Sequence, residues 1–435
     1  MKVFTNIHSH VFTAKHSPDY FLKTALPAKW PGWFSNIIAK RVNDMLQRKN
    51  TRWVLKKIIW ILQNVAQGFC VSIERLLEFI EIGTSSTQRE IFNDIADTYR
   101  HLGDFRIVAL TQVLDYLDLE QPSYHTRIQT QVYQVAEIKR NALYQNNICP
   151  FLGIDPRMVN VDLVNWITKY VNKDYGFCGI KIYPAAGFFP FDPRLDKVWE
   201  HAEKNQIPIM THCTRGGSWY LGRFKSIFDD GDGDVPTLNP ISTHMASINE
   251  RILALKADTD AQKKNSLWCN IFGHPENYRP VLEKYPHLKI CLAHLGGSNE
   301  ILRSHGLRNN KFPPYFRHNW YIETLKLMRD YENVYSDISY TLSDRSALKC
   351  IRDDFNADNI TLYYTGADNN PVAEEINMCY KNVPLINKLM YGTDFFLTRK
   401  ENLGEEVDLQ NNFLKILSSR RIIMAFEAPD KFLKC

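Results

Sequence analysis

The sequence predicts an α/β chain folded as a distorted (β/α)₈ TIM barrel. Three observations carry this reading. From residue 105 onward, short near-continuous apolar runs alternate with longer amphipathic ones, the pattern of a parallel sheet buried on both faces. With a first strand at residues 3–8, there are eight such strand–helix units. Polar residues end several of the apolar runs at equivalent places, and barrels of this kind build their sites at the C-terminal ends of the strands.

Strand 1 ends in Asn6-Ile7-His8-Ser9-His10. Residues two apart on a strand point to the same side, so His8 and His10 project together and can chelate one divalent metal. Residues 11–104 read as a long helical insertion, with apolar residues at three- and four-residue steps in 37–48, 51–69, 72–82 and 88–102. Gly83-Thr84-Ser85-Ser86 is a break, with Ser86 as an N-cap for the next helix. The alternation then runs strand 106–113, helix 126–145, strand 148–154, helix 161–172, strand 177–183, helix 194–205 and strand 207–213. A second insertion, irregular, spans 214–272. After it come helix 275–285, strand 288–294, helix 321–331, strand 333–338, helix 373–380, strand 388–394 and helix 402–418. The whole of 1–435 is thus one barrel carrying two insertions.

Composition narrows the function. Hydrophobic content of 44% and charged content of 23% are those of a globular chain with a large core. A net charge of +5 from dispersed basic residues gives no reason to expect a nucleic-acid partner, although residues 40–57 are locally basic. The nine cysteines are scattered singly with no Cys-x-x-Cys pair, which fits a reducing compartment. The first residues carry no apolar secretory core, and the most apolar helix candidate, 53–69, contains Lys56 and Lys57 and is too short to span a bilayer. A cytoplasmic chain with no membrane partner is the expectation. Asp230-Gly-Asp232-Gly-Asp234 imitates a calcium loop, but Val235 and Ile241 stand where that loop needs Gly and Glu.

The chemistry lies in six residues at strand ends: His8 and His10 on strand 1, Lys181 on strand 4, His212 on strand 5, His294 on strand 6 and Asp394 on strand 8. A single strand-end histidine is more often structural. Four histidines, an aspartate and a lysine at matching places in successive units point to a metal site.

Asn-Ile-His8-Ser-His10, Gly179-Ile-Lys181-Ile-Tyr-Pro, Pro-Ile-Met-Thr-His212, Leu-Ala-His294-Leu-Gly-Gly and Met-Tyr-Gly-Thr-Asp394 resemble the amidohydrolase superfamily, most closely its amidohydrolase-related branch. That branch also includes decarboxylases and lactonases. Glu427-Ala-Pro-Asp-Lys-Phe432 looks like a degraded form of its C-terminal Asn-Pro signature. The resemblance implies that His8, His10 and Asp394 hold the more buried metal and that Asp394 accepts the proton of the attacking water. In mononuclear relatives the counterpart of His212 is a ligand, and that of His294 orients or deprotonates the water. In binuclear relatives both bind a second metal, and a carbamylated lysine at the place of Lys181 bridges the pair. The alternative for Lys181 is an ammonium that binds a substrate carboxylate or pairs with a strand-end acid. The implied cofactor is a divalent ion, zinc with manganese as the alternative, one or two per chain.

Three further residues join the list. Asp337 ends strand 7, where an acid orients a ligand histidine more often than it reacts. Arg215, just past His212, suits an anionic substrate. Tyr183 lies one pleat past Lys181 and can face the pocket. The function expected is hydrolysis of an amide, ester or lactone of a small molecule by an activated water. The alternatives are non-oxidative decarboxylation on the same site, or an inactive barrel that binds a partner. The helical insertion is a candidate homodimer surface. The aromatic stretches Phe188-Phe189-Pro-Phe191 and Trp219-Tyr220 suit either a ring-bearing substrate or loop packing.

Overall fold

The computed structural model describes residues 2–13, 16, 87–117, 126–158, 160–215, 217, 220, 271–308, 318–366, 370–395 and 406–433. An eight-stranded parallel sheet organises them. Its members are β1 (Phe4–His10), β2 (Phe105–Leu110), β3 (Ile148–Gly153), β4 (Gly179–Ile182), β5 (Ile209–Thr211), β6 (Ile290–Leu292), β7 (Val334–Asp337) and β12 (Leu389–Met390), in that spatial order. Backbone bonds from residues 391–395 to β1 complete the ring: Ile7 N–H to Tyr391 O at 2.9 Å, Asp394 N–H to His8 O at 2.9 Å and His10 N–H to Phe395 O at 2.7 Å. This is the TIM barrel that the alternation predicts.

The α-helices among the described residues are α1 (Gln88–Tyr99), α2 (Thr126–Arg140), α3 (Leu163–Tyr170), α4 (Asp196–Lys204), α5 (Arg279–Lys284), α6 (Ser298–Ser304), α7 (Trp320–Asp330), α8 (Arg345–Asp354), α9 (Glu406–Ile416) and α10 (Ala428–Leu433). The larger apolar cluster packs helices against the outside of the sheet. The smaller one fills the barrel with Ile7, Val108, Leu110, Phe151, Met210 and Cys291. Phe432 and Leu433 of α10 belong to that interior cluster. Lys289, just before β6, donates from Nζ to Lys431 O at 2.8 Å and Phe432 O at 3.1 Å. Thus α10 floors the barrel at the N-terminal ends of its strands, opposite the polar strand ends. The 427–432 stretch is the start of that floor.

Four expectations need correction. Residues 373–380 are not a helix. There β9 (Pro371–Asn377) pairs antiparallel with β8 (Asn359–Thr365), from Asn359↔Asn377 to Thr365↔Pro371, and β10 (Cys379–Tyr380) pairs with β11 (Val383–Pro384). The helix-forming Ala373-Glu374-Glu375 is overruled by its partner strand, which is rich in β-branched and aromatic residues, and Leu362 and Ile376 are buried. The helix of this unit is α8, where no element is expected, and Asp344 caps it by accepting from Ser346 N–H and Ala347 N–H. The last barrel strand is two residues long, so Asp394 stands beyond it, with φ at +60°. The cap of α1 is Thr87 rather than Ser86: its hydroxyl accepts from Glu90 N–H while Glu90 accepts from Thr87 N–H.

Of the residue 11–104 insertion, α1 and the turn Arg100–Leu102 match the expected 88–102 helix; the expected helices at 37–48, 51–69 and 72–82 lie outside the described residues, as do the Asp230 turn and most of 214–272. The six described cysteines are free thiols. No helix among the described residues is long and apolar enough to cross a membrane.

Candidate metal centre

The register between β1 and β2 slips between Asn6 and Ser9, where β1 carries one extra residue. Such a bulge re-aims side chains. Asn6 turns outward to Tyr99 on α1, whereas Ile7 joins the barrel interior. His8 and His10 meet Asp394: His8 Nε2 lies 3.3 Å and His10 Nε2 3.2 Å from Asp394 Oδ1. All three are buried.

His8 Nδ1 faces Asp337 Oδ2 at 3.0 Å, so the Nδ1–H tautomer donates to Asp337 and leaves the Nε2 lone pair directed at Asp394. Neither His8 Nε2 nor Asp394 Oδ1 has an aligned hydrogen-bond partner, although both are buried and close together. Two imidazoles and a carboxylate whose ligand atoms converge, with His8 Nε2 and Asp394 Oδ1 unsatisfied, fit a divalent cation. Burial disfavours charge on Asp394, but contacts from His10 and His8 hold the carboxyl well below its ordinary range. Burial draws His10 and His294 down to about 4, which keeps both imidazoles neutral, the form that ligates.

His294 follows β6 in a turn where it, Leu295 and Gly296 all have positive φ, a backbone strain typical of functional positions. The turn brings its ring centroid 4.8 Å from that of His8 and 4.9 Å from that of His212. Its Nδ1 faces Ser339 Oγ at 2.9 Å, and its Nε2 faces His212 Nδ1 at 3.1 Å. Lys181 points into the same interior. It is 1% exposed, and its Nζ has no hydrogen-bond partner among the described residues. Burial lowers it to about 8, against the pull of the Asp394 and Asp337 carboxylates.

Tyr183 stacks on the His212 ring at 4.4 Å. Gly217 closes over this pair with φ at +92°, and a Cβ there would collide with the Tyr183 hydroxyl. Arg215 is engaged by residues of the α6–α7 region. Its Nε lies 3.2 Å from Glu300 Oε1, Nη2 donates to His318 O at 2.5 Å, and the guanidinium covers the Trp320 ring at 4.9 Å. Phe189 stacks on Phe191 at 4.8 Å, and Phe188 and Phe189 are buried; Trp219 lies outside the described residues.

Around the ligands stand Asp337, which the sequence marks as an orienting acid, and residues that sequence reasoning missed. Asp337 orients His8 and also accepts from His294 N–H at 3.1 Å and Ser339 N–H at 2.9 Å. Ser339, two residues on, supports the His294 ring; its only sequence signal is its place after a strand-end acid. Behind β1, Asn6, Tyr99, Thr393 and Glu406 form a buried polar network with no motif to announce it.

A closed parallel barrel with histidine, lysine and aspartate gathered at its strand ends defines a class of barrel enzymes. The family model described as amidohydrolase matches residues 102–418. This chain belongs to that amidohydrolase family. The match begins after His8 and His10, which the fold supplies to the same cluster. No curated protein sequence matches the chain at a significant level.

Among solved structures, the chain is similar to IDCase from Metarhizium anisopliae (15% identity, 79% of this chain and 78% of that chain, TM-score 0.39). It is similar to dihydroorotase in complex with 5-fluoroorotic acid from Saccharomyces cerevisiae (12% identity, 80% of each chain, TM-score 0.38). It is also similar to an uncharacterized TIM-barrel protein from Bordetella bronchiseptica (13% identity, 75% and 82%, TM-score 0.37).

Proposed function

We propose that this chain is a metal-dependent hydrolase that directs water onto the carbonyl of an amide, ester or lactone in a small molecule. The observation that carries the reading is the convergence of His8 Nε2 and His10 Nε2 on one oxygen of Asp394, at 3.3 and 3.2 Å. Buried donor atoms without aligned partners are costly unless a cation satisfies them. His8, His10 and Asp394 would hold that cation, and the nitrogen-rich set suits zinc, with manganese as the alternative. A divalent ion bound there polarises a carbonyl oxygen and lowers the pKa of water.

The chain's own residues do the rest. Asp394 accepts the proton of the attacking water, since it is held ionised by its two histidines. His294 is fixed by Ser339 and Asp337, so it either orients that water or joins His212 as a ligand to a second ion. As a neutral amine, Lys181 Nζ could add carbon dioxide, forming an N–C bond and releasing one proton to solvent, and the resulting carbamate would supply anionic ligand oxygens if two ions were held there. Tyr183, stacked on His212, forms part of the substrate-facing wall.

Elemental analysis of chelator-free protein, with turnover of an activated ester, tests the reading. Bound zinc or manganese and ester cleavage that a chelator abolishes are expected. Carbon dioxide release without hydrolysis would make the chain a decarboxylase. Absence of metal would sink the enzymatic reading.

A further inference from the structure

We propose that the Asn6 side chain is the positioning hub of the three metal ligands, and that Glu406 and Tyr99 hold the hub in place. The inference rests on the metal reading of His8, His10 and Asp394. Asn6 bonds His8 directly and the immediate chain neighbours of His10 and Asp394. Its Oδ1 accepts from His8 N–H at 3.1 Å. Its Nδ2 donates to Ser9 Oγ at 2.8 Å, and Ser9 adjoins His10. The same nitrogen lies 2.9 Å from Thr393 Oγ1, and Thr393 adjoins Asp394.

The far side of the amide is anchored in the helical layer. Asn6 Nδ2 lies 2.8 Å from Tyr99 OH at the end of α1 and 3.4 Å from Glu406 Oε1 at the start of α9. Tyr99 donates its hydroxyl to Glu406 Oε1 and sits 2.9 Å from Tyr391 OH. Asn6, Ser9, Tyr99, Tyr391 and Thr393 are 0% exposed and Glu406 2%, so water is not a substitute partner. An amide has two N–H bonds and one carbonyl. Four oxygens surround the two N–H bonds of Asn6 and the carbonyl takes the His8 N–H, so every polar atom of the amide lies within this cage, which couples β1 to the segment bearing Asp394 across the seam where the barrel closes.

Glu406 is the revealing member. It is a fully buried carboxyl whose partners are hydroxyls and amides rather than a cation, a costly arrangement for packing alone. Its oxygen satisfies the Tyr99 hydroxyl, and the pair confines the Asn6 amide. Outer partners of this kind orient the groups that bind a metal.

The experiment is chelator competition on zinc-loaded wild type, Asn6→Ala, Glu406→Leu and Glu406→Gln, with the absorption spectrum of the cobalt(II) forms recorded in parallel. Asn6→Ala and Glu406→Leu are expected to bind zinc about tenfold more weakly and to alter the cobalt spectrum. Glu406→Gln keeps an oxygen for Tyr99 and is expected to stay close to wild type. If Glu406→Leu does not fold, Tyr99→Phe, which removes only the hydroxyl, is read in its place with the same direction. Wild-type zinc affinity and an unchanged spectrum in Asn6→Ala and in the Glu406→Leu or Tyr99→Phe protein would overturn the hub while leaving the metal site standing. A wild type that takes up no zinc would overturn the metal reading and the hub with it.

Discussion

Asp337 Oδ2 lies 3.0 Å from His8 Nδ1, and the other oxygen of the same carboxylate accepts the backbone N–H of His294 at 3.1 Å. One acid at the end of β7 therefore fixes the tautomer of a β1 ligand and the turn that carries the β6 histidine. Its charge is secure: burial opposes ionisation, but His8 and His294 hold it below the ordinary carboxylate range. Replacing it by Asn (Asp337→Asn) leaves the shape and removes the charge. Such a change is expected to weaken metal binding about 10- to 100-fold, read by chelator competition. Unchanged affinity would show that His8 needs no orienting acid.

Lys181 distinguishes one metal from two. Its Nζ is buried with no hydrogen-bond partner among the described residues, an arrangement that a carbamate would resolve by turning a cation into an anionic bridge. Metal analysis of wild type and Lys181→Ala is expected to fall from two ions per chain to one or none. One ion in both proteins would instead assign Lys181 to a substrate carboxylate.

A pH effect is expected far from the site. His305 at the end of α6 presents Nδ1 to Ile301 O at 2.8 Å and Nε2 to Asp354 Oδ1 at 3.0 Å, so only the doubly protonated ring satisfies both acceptors. Burial alone would lower its pKa, yet the bond to Asp354 raises it. A histidine raised above its unfolded value adds stability that is fully present below that value, about 6.5, and is lost as pH rises through the folded pKa. The gap in thermal midpoint between wild type and His305→Gln should therefore be wider at about pH 5.5 than at about pH 8.5. Equal gaps would mean that the folded ring is neutral.

The barrel floor makes a stability prediction. Phe432 is 0% exposed and packs on Phe151 and Tyr335, with ring centroids 6.4 and 5.2 Å away. Phe432→Ala is expected to cost about 3–5 kcal/mol, read from denaturant unfolding. A loss below about 1 kcal/mol would mean that α10 does not plug the barrel in solution.

The barrel and the identity of the clustered side chains were legible because both are local. Apolar runs and amphipathic helices announce themselves by period, and a polar residue at the end of several apolar runs marks the rim. His8, His10, Lys181, His212, His294 and Asp394 could all be found this way. The β8–β9 hairpin was not legible, because Ala373-Glu374-Glu375 carries a helical preference that only pairing with 359–365 overrides.

What the chain determined by itself is the order of eight strands and which ligand-type residues stand at their ends. The tertiary structure alone decided how those residues meet. The bulge after Asn6 turns one amide outward and two imidazoles inward. The left-handed turn at His294 sets its ring between His8 and His212. The seam between β1 and residues 391–395 brings Asp394 to the two histidines. Each of these joins residues hundreds of positions apart or depends on backbone angles, and no local pattern of residue types encodes either. Ser339, Asn6 and Glu406 became visible for the same reason: a hydrogen-bond partner is a fact of distance, not of spacing along the chain.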